Sequence, residues 1–448
     1  VVYEQSGLRI IEQSFRPADN KPVPANFIAN ARGYLPLDTL KCAVFLFQLV
    51  SHVSVVVSRR VQRVKPSPTL ALTSRVAQLK AEGKDIIGLG AGEPDFDTPV
   101  HIADAAVEAI RKGFTRYTPV DGIAELKDAI IAKFKRDNNI DYKRNQILVS
   151  SGAKQTIYNL IMAVIDAGDE VIIPAPYWVS YPDMVALADG VPVMPYAGPA
   201  QGYKISAAQL EAAITPKTKL FILNTPSNPT GAAYTAAELK ALGEVLKKHP
   251  RVIICTDDIY EPIFWGAEPF ASLLTVVPEL YNRTVTVNGV SKSYAMTGWR
   301  LGYCGGPVEI ITAMGTIQGQ STSNASSITQ KAAVAALNGD QSCVREMNKH
   351  FKARHDFFVA GLNKLPGVTC LPGSGAFYAF ANVEAAMQII GAKDDNAFAE
   401  YLLLEGGVAV VPGSGFGAPG HMRLSFACSM ETLTEALKRM DRALRKSA

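Results

Sequence analysis

Apolar and polar positions along this chain follow two periods, and the order in which the periods alternate predicts a fold. Ile147-Leu148-Val149-Ser150 is a short apolar run of strand type. Ala153 to Asp166 follows with Ile157, Leu160, Ile161 and Val164 at helical spacing. Glu170 to Pro174 reads as the next strand, closed by Pro-Ala-Pro, and Leu220 to Asn224, Val252 to Thr256 and Thr284 to Val287 read as further strands. Helix-like stretches such as Ala236 to Lys248 lie between some of them. Strands joined by crossover helices predict an α/β fold with a mainly parallel sheet between helices. In such a sheet, ligands bind at the carboxyl ends of the strands.

The C-terminal third has a different pattern. Gln330 to Leu362 is expected to be largely helical, Ala376 to Phe380 and Val408 to Val411 to be strands, and Met430 to Ser447 to be an amphipathic helix. This predicts a smaller α+β domain at 326–448, a large domain at 101–325, and a segment at 59–100 that joins the small domain. Residues 1–58 share neither period. They carry Pro17, Pro22, Pro24 and Pro36, and an apolar run from Ala43 to Val57 interrupted by Gln48, Ser51, His52 and Ser54. That run is too short for a membrane span and too far from the N-terminus for a signal peptide. The abrupt change at Ser58-Arg59-Arg60-Val61 suggests a leader foreign to the fold, disordered or arising from an over-extended translation start, with the natural chain beginning near Val57. An intact mass that includes residues 1–50 would refute this expectation.

Composition narrows the classes. The net charge of +4 comes without a long Lys/Arg cluster, so neither nucleic acid nor a membrane is an expected partner. The six cysteines are scattered and form no C-x-x-C pair, which argues against a disulfide framework or a zinc site and fits the cytoplasm. The histidines show no ligand spacing: His350 and His355 stand five apart, off a common helical face. No metal site is expected.

Chemistry gathers at the predicted strand ends. In Ser291-Lys292-Ser293-Tyr294-Ala295-Met296-Thr297-Gly298-Trp299-Arg300, a lysine follows a strand and an arginine comes eight residues later. A lysine at a rigid strand end suits Schiff-base chemistry, and an arginine is a good phosphate fork. Asn224-Thr225-Pro226-Ser227-Asn228-Pro229-Thr230-Gly231 is dense in turn formers after a strand. Thr256-Asp257-Asp258-Ile259-Tyr260 places an acid at a strand end and a tyrosine three residues on. Ser151-Gly152-Ala153-Lys154-Gln155 opens a helix whose backbone N–H groups can receive phosphate, although no Walker loop is present. Gly88-x-Gly90-x-Gly92 runs into Pro94 and lacks the spacing of a dinucleotide loop.

These segments, in this order, resemble the fold-type I aminotransferases, in particular the class I aspartate aminotransferases, from about residue 59 to the C-terminus. The resemblance implies a large domain with a seven-stranded sheet, pyridoxal 5′-phosphate as cofactor, and a homodimer. It implies roles residue by residue. Lys292 matches the cofactor lysine, Arg300 the phosphate-binding arginine, Asp257 the partner of the pyridine nitrogen, and Tyr260 and Asn228 the groups beside the ring oxygen. Gly152, Ala153 and Lys154 match the phosphate turn, and Trp178 the aromatic that stacks on the ring. Arg423 and Gly92 match groups that hold the substrate, and Tyr117 a tyrosine that reaches the neighbouring subunit's phosphate. Val64-Lys65-Pro66-Ser67-Pro68-Thr69 and Gly152-Ala153-Lys154-Gln155 resemble subgroup Ib, in which residues matching Lys154 and Lys65 are linked to the distal carboxylate and to prephenate. The expected reaction is aspartate with 2-oxoglutarate, with prephenate as a second acceptor. The alternatives are a broad aromatic or alanine aminotransferase, a pyridoxal-phosphate β-lyase, and a cofactor-sensing regulator, for which the leader is too short and Pro-broken to supply a DNA-binding domain.

Overall fold

A computed structural model describes residues 57–66 and 68–446. The leader expected at 1–58 therefore lies outside the described residues except for Val57 and Ser58. In chain order the strands are β1 (Ile87–Gly88), β2 (Ile147–Ser150), β3 (Glu170–Ile172), β4 (Val191–Val193), β5 (Thr218–Asn224), β6 (Ile253–Asp257), β7 (Thr284–Gly289), β8 (Gly302–Gly305), β9 (Thr369–Cys370), β10 (Tyr378–Asn382), β11 (Val408–Ala409), β12 (Val411–Pro412) and β13 (His421–Ser425).

Seven of them form one sheet in the order β2-β8-β7-β6-β5-β3-β4. All run parallel except β8, which is antiparallel to both β2 and β7. The pattern of apolar residues does not announce β8, because glycine begins and ends it. Packing explains the glycines: a Cβ on Gly302 would stand 2.2 Å from the Ala153 nitrogen, and one on Gly305 would stand 2.3 Å from the Tyr142 ring. A bare backbone is what lets this strand lie between two others. Strand β4 is likewise not announced by the apolar pattern. It carries Pro192 and sits at the sheet edge, where a missing N–H costs no ladder bond.

Helices cover the sheet. Ala153–Val164 buries Ile157, Leu160 and Ile161, and Ala236–Lys248 buries Leu239, Leu242 and Leu246. Thr235 and Glu238 close the start of the second helix as a capping box. The helix expected from Gln330 to Leu362 is two helices, Ser327–Asn338 and Ser342–Leu362. Gly339 ends the first, and the Asp340 carboxylate accepts the Ser342 N–H at 3.2 Å to start the second. The first of these helices packs against Val100–Arg111 and Ala124–Asn138, and its Ala332, Ala333 and Leu337 join the core on the sheet side. The expected division at 325/326 thus falls ahead of a helix that packs with the large layer.

In the C-terminal part, a four-stranded antiparallel sheet has the order β12-β13-β10-β9. Strand β1 pairs in parallel with β11, so the segment before residue 100 adds to this part of the chain. Met430–Lys446 buries Leu433, Ala436, Met440 and Leu444 along one stripe.

Candidate active site

The carboxyl ends of β2, β5, β6 and β7 open on a cavity of about 350 Å³. Lys292 stands three residues past the end of β7, and its Nζ donates to the Gly92 carbonyl at 2.6 Å. Burial lowers its pKa from 10.5 to about 8; Arg300 and Arg423 push the same way, and Glu93 and Asp257 oppose them. An amine that loses its proton near neutral pH can act as a nucleophile or a base.

Asp257 is the last residue of β6 and only 5% exposed. Burial raises its carboxyl to about 6, against hydrogen bonds from the Tyr181 hydroxyl and the Ile259 N–H. A buried carboxyl of this kind ionises fully when a cation is placed beside it. Asn224, at the end of β5, donates to the Asp257 carbonyl at 2.8 Å and accepts the Asn228 N–H at 2.8 Å. The turn that carries Asn228 is thereby fixed to the strand that carries Asp257. The hydroxyls of Tyr260 and Tyr378 share a hydrogen bond of 2.9 Å, and burial keeps both phenols protonated.

One corner is strongly electropositive. Gly152 adopts φ +94° at the N-cap of Ala153–Val164. A Cβ there would stand 2.5 Å from Arg300 Nη2, so the guanidinium lies directly against the first turn of the helix. Lys154 stands on that turn, its pKa lowered by burial and then by the Arg300 charge. Its Nζ is 5.0 Å from the centre of the Trp178 ring. Helix N–H groups, a guanidinium and an ammonium together make an anion site.

Arg423, in β13, is a different kind of cation. It is 2% exposed, with Tyr378 at 4.5 Å and Phe416 at 5.0 Å from its guanidinium carbon. Nη1 donates to Asn228 Oδ1 at 2.9 Å and Nη2 to the Gly90 carbonyl at 2.7 Å, while Nε is buried without a partner. The charges that act on it belong to Tyr378 and Tyr260, with no carboxylate among them. A buried cation without a counter-ion is costly, and a ligand carboxylate would relieve that cost.

Lys292, Asp257, Tyr260, Asn228, Arg300, Lys154 and Arg423 line this cavity together with Gly92, Ala153 and Trp178. Gly152 lies behind the wall, against Arg300. Two expected residues stand elsewhere. Tyr117 is 92% exposed and Lys65 is exposed, and neither lines the cavity. Lys65 still acts on Asp183, a carboxylate that also feels Lys154. Sequence reasoning missed Tyr181, Tyr378 and Asn224. Tyr181 follows Trp178 by three residues and packs edge-on against it, a spacing that could have flagged it. Tyr378 gave no local signal, since its partners Tyr260 and Arg423 are distant in the chain.

The chain is similar to known proteins along most of its length. The family described as aminotransferase class I and II matches residues 84–440. The chain is 58% identical over 389 residues to an aspartate/prephenate aminotransferase of Nitrosomonas europaea, covering 86% of this chain and 98% of that protein. It is 49% identical to an aspartate aminotransferase of Bacillus subtilis, covering 87% and 99%. Among solved structures, the aspartate aminotransferase of Rhizobium meliloti superposes with a TM-score of 0.84 at 47% identity, covering 87% of this chain and 99% of that one. The Thermus thermophilus aspartate aminotransferase with maleate gives 0.82 at 42% identity, with the same coverage.

Proposed function

Because the chain belongs to the class I and II aminotransferases, we propose that it moves the amino group of L-aspartate to 2-oxoglutarate, giving oxaloacetate and glutamate, and that it also accepts prephenate. Enzymes of this family depend on pyridoxal 5′-phosphate. The residues present fit that cofactor on two counts. Gly152 leaves room for Arg300 to close an anion corner over a helix N-terminus. Asp257 is a buried carboxyl, raised to about 6, facing the same cavity.

In this reading Arg300 and the N–H groups at Gly152 and Ala153 hold the phosphate, Asp257 the ring nitrogen, Tyr260 and Asn228 the ring oxygen, and Trp178 a face of the ring. When bound, pyridoxal phosphate supplies a protonated heterocycle that accepts the electron pair left on the substrate α-carbon. Lys292 would carry the cofactor, and its Nζ would take the substrate's α-proton and give it back. A pKa of about 8 suits an amine that must be neutral to take that proton and then release it. Arg423 grips the α-carboxylate, its fork oriented by Asn228 and the Gly90 carbonyl. Gly92 contributes backbone to the substrate pocket.

For the distal carboxylate we assign Lys154. Its position on the cavity wall supports this, as does the dicarboxylate maleate in the Thermus relative. Lys65 and Lys154 act on the same carboxylate, Asp183, which supports a shared role in taking a larger dicarboxylate such as prephenate. The large exposure of Tyr117 suits a side chain that completes a second subunit's site in a homodimer. Five free thiols among the described residues suit the cytoplasm, and no described helix is long and apolar enough to cross a membrane.

The observation that carries the proposal is the convergence of an amine with lowered pKa, a buried carboxyl and a buried, carboxylate-free arginine on one cavity. Borohydride treatment of the holoprotein is expected to fix a pyridoxyl group to the Lys292 peptide, and Lys292→Ala to abolish turnover. A pyridoxyl group on another lysine would overturn the assignment. A donor and oxo-acid panel including prephenate then tests the substrates.

A further inference from the structure

We propose that Thr98 is a positioning residue for the loop that runs from Lys292 to Arg300. Two residues of that loop with side chains adopt left-handed backbone angles, Ala295 at φ +50° and Arg300 at φ +56°. Such angles are unfavourable for any residue with a Cβ and persist only where the surroundings impose them. The Thr98 hydroxyl meets both places. It donates to the Ala295 carbonyl at 2.8 Å and accepts the indole N–H of Trp299, the residue before Arg300, at 2.9 Å. One side-chain oxygen thus bonds the left-handed Ala295 itself, on the Lys292 side, and the side chain of the residue that precedes the left-handed Arg300.

Thr98 belongs to a strap, residues 92–98, that lies along the loop. Gly92 O accepts from Lys292 Nζ, and the Glu93 carboxylate accepts from the Thr297 hydroxyl at 3.0 Å. The strap is anchored at its middle. Asp95 receives both ends of the Arg354 guanidinium, at 2.6 and 2.9 Å, from the helix Ser342–Leu362. The Arg354 guanidinium lies 5.0 Å from the centre of the Phe96 ring, and its side chain is only 11% exposed. A bidentate, largely buried pair is a firm anchor. The strap therefore holds the loop from a fixed base, and Thr98 is the contact that sets the loop's shape.

This inference rests on the roles given to Lys292 and Arg300, and its test separates the two. Thr98→Val keeps the shape of the side chain and removes both hydrogen bonds, whereas Thr98→Ser keeps the hydroxyl. In the Thr98→Val holoenzyme, release of pyridoxal phosphate on dilution is expected to be about tenfold faster and kcat about tenfold lower, the scale of a lost buried hydrogen bond. KM for aspartate, held by Arg423, is expected to stay within about twofold, because that contact is untouched. Thr98→Ser is expected to restore native release and kcat. A Thr98→Val enzyme that releases cofactor at the native rate, even with a lower melting temperature, would overturn the proposal. So would a Thr98→Ser enzyme that behaves like the valine variant. Should Thr98→Val fail to fold, Trp299→Phe removes the indole donor to Thr98, together with part of the ring's packing on the core. It is expected to speed release by a smaller factor, and native release in that variant counts against the proposal. Borohydride labelling of the wild-type enzyme reports on Lys292 separately: a label elsewhere defeats the functional reading whatever Thr98 does.

Discussion

Replacing Arg423 by lysine tests the grip on the substrate α-carboxylate proposed for it. The charge stays, but the fork is lost. In the native site Nη1 and Nη2 are held by Asn228 Oδ1 and Gly90 O, between Tyr378 and Phe416. An ammonium cannot keep both of these bonds and also present two parallel donors to a carboxylate. The variant should therefore lose one charge-assisted hydrogen bond to the ligand, about 1.5–3 kcal/mol. That corresponds to about 10- to 150-fold in affinity. The assay is equilibrium binding of maleate to the holoenzyme, followed through the cofactor's visible absorbance, so that chemistry does not enter. Cofactor content should be unchanged, because Arg300 and Lys292 are untouched. The kcat/KM for aspartate should fall by at least the same factor. If Arg423→Lys bound maleate with native affinity, the α-carboxylate would have to be held elsewhere, and the argument from a buried, uncompensated cation would fail.

Lys154→Met is expected to raise KM for aspartate and 2-oxoglutarate about tenfold, one charged contact's worth, while alanine turnover stays near its native level; equal losses for both donors in a panel would assign Lys154 to the phosphate instead. Tyr181→Phe removes a donor that stabilises the Asp257 carboxylate, so its carboxyl should rise above about 6 and cofactor affinity should begin to fall at a higher pH on acidification. A titration of cofactor affinity against pH that matches wild type would refute this. Asp258 is fully buried beside Asp257, and burial pushes its carboxyl well above the usual range. A raised folded pKa means stability that is whole below the unfolded value, near 4, and is lost as pH rises toward the folded one. Asp258→Asn should therefore unfold at a higher temperature than wild type, by a margin that widens as pH rises above about 4; a margin independent of pH in calorimetry would show that the carboxyl is not the cause.

What the sequence determined by itself was chemistry carried by short stretches of chain. Lys292 after a strand, Asp257 with Tyr260 three residues on, and the glycine at the start of a helix are local arrangements, and each depends on neighbours within about one turn. The helix Ala236–Lys248 was legible in the same way, because its apolar stripe and its capping box are both written within a few residues. Tertiary structure decided whatever depends on partners far along the chain. Strand β8 exists because Gly302 and Gly305 fit against Ala153 and Tyr142, and glycines have no periodicity to read. The helix Ser327–Asn338 joined the large layer because its alanines fit against Val100–Arg111, a contact that composition does not announce. Tyr378 and Tyr181 entered the site because strands and helices brought them beside Arg423 and Asp257. Local sequence limits which groups are available; burial and long-range packing then fix their pKa values and their partners, since desolvation and hydrogen bonding are properties of the assembled interior.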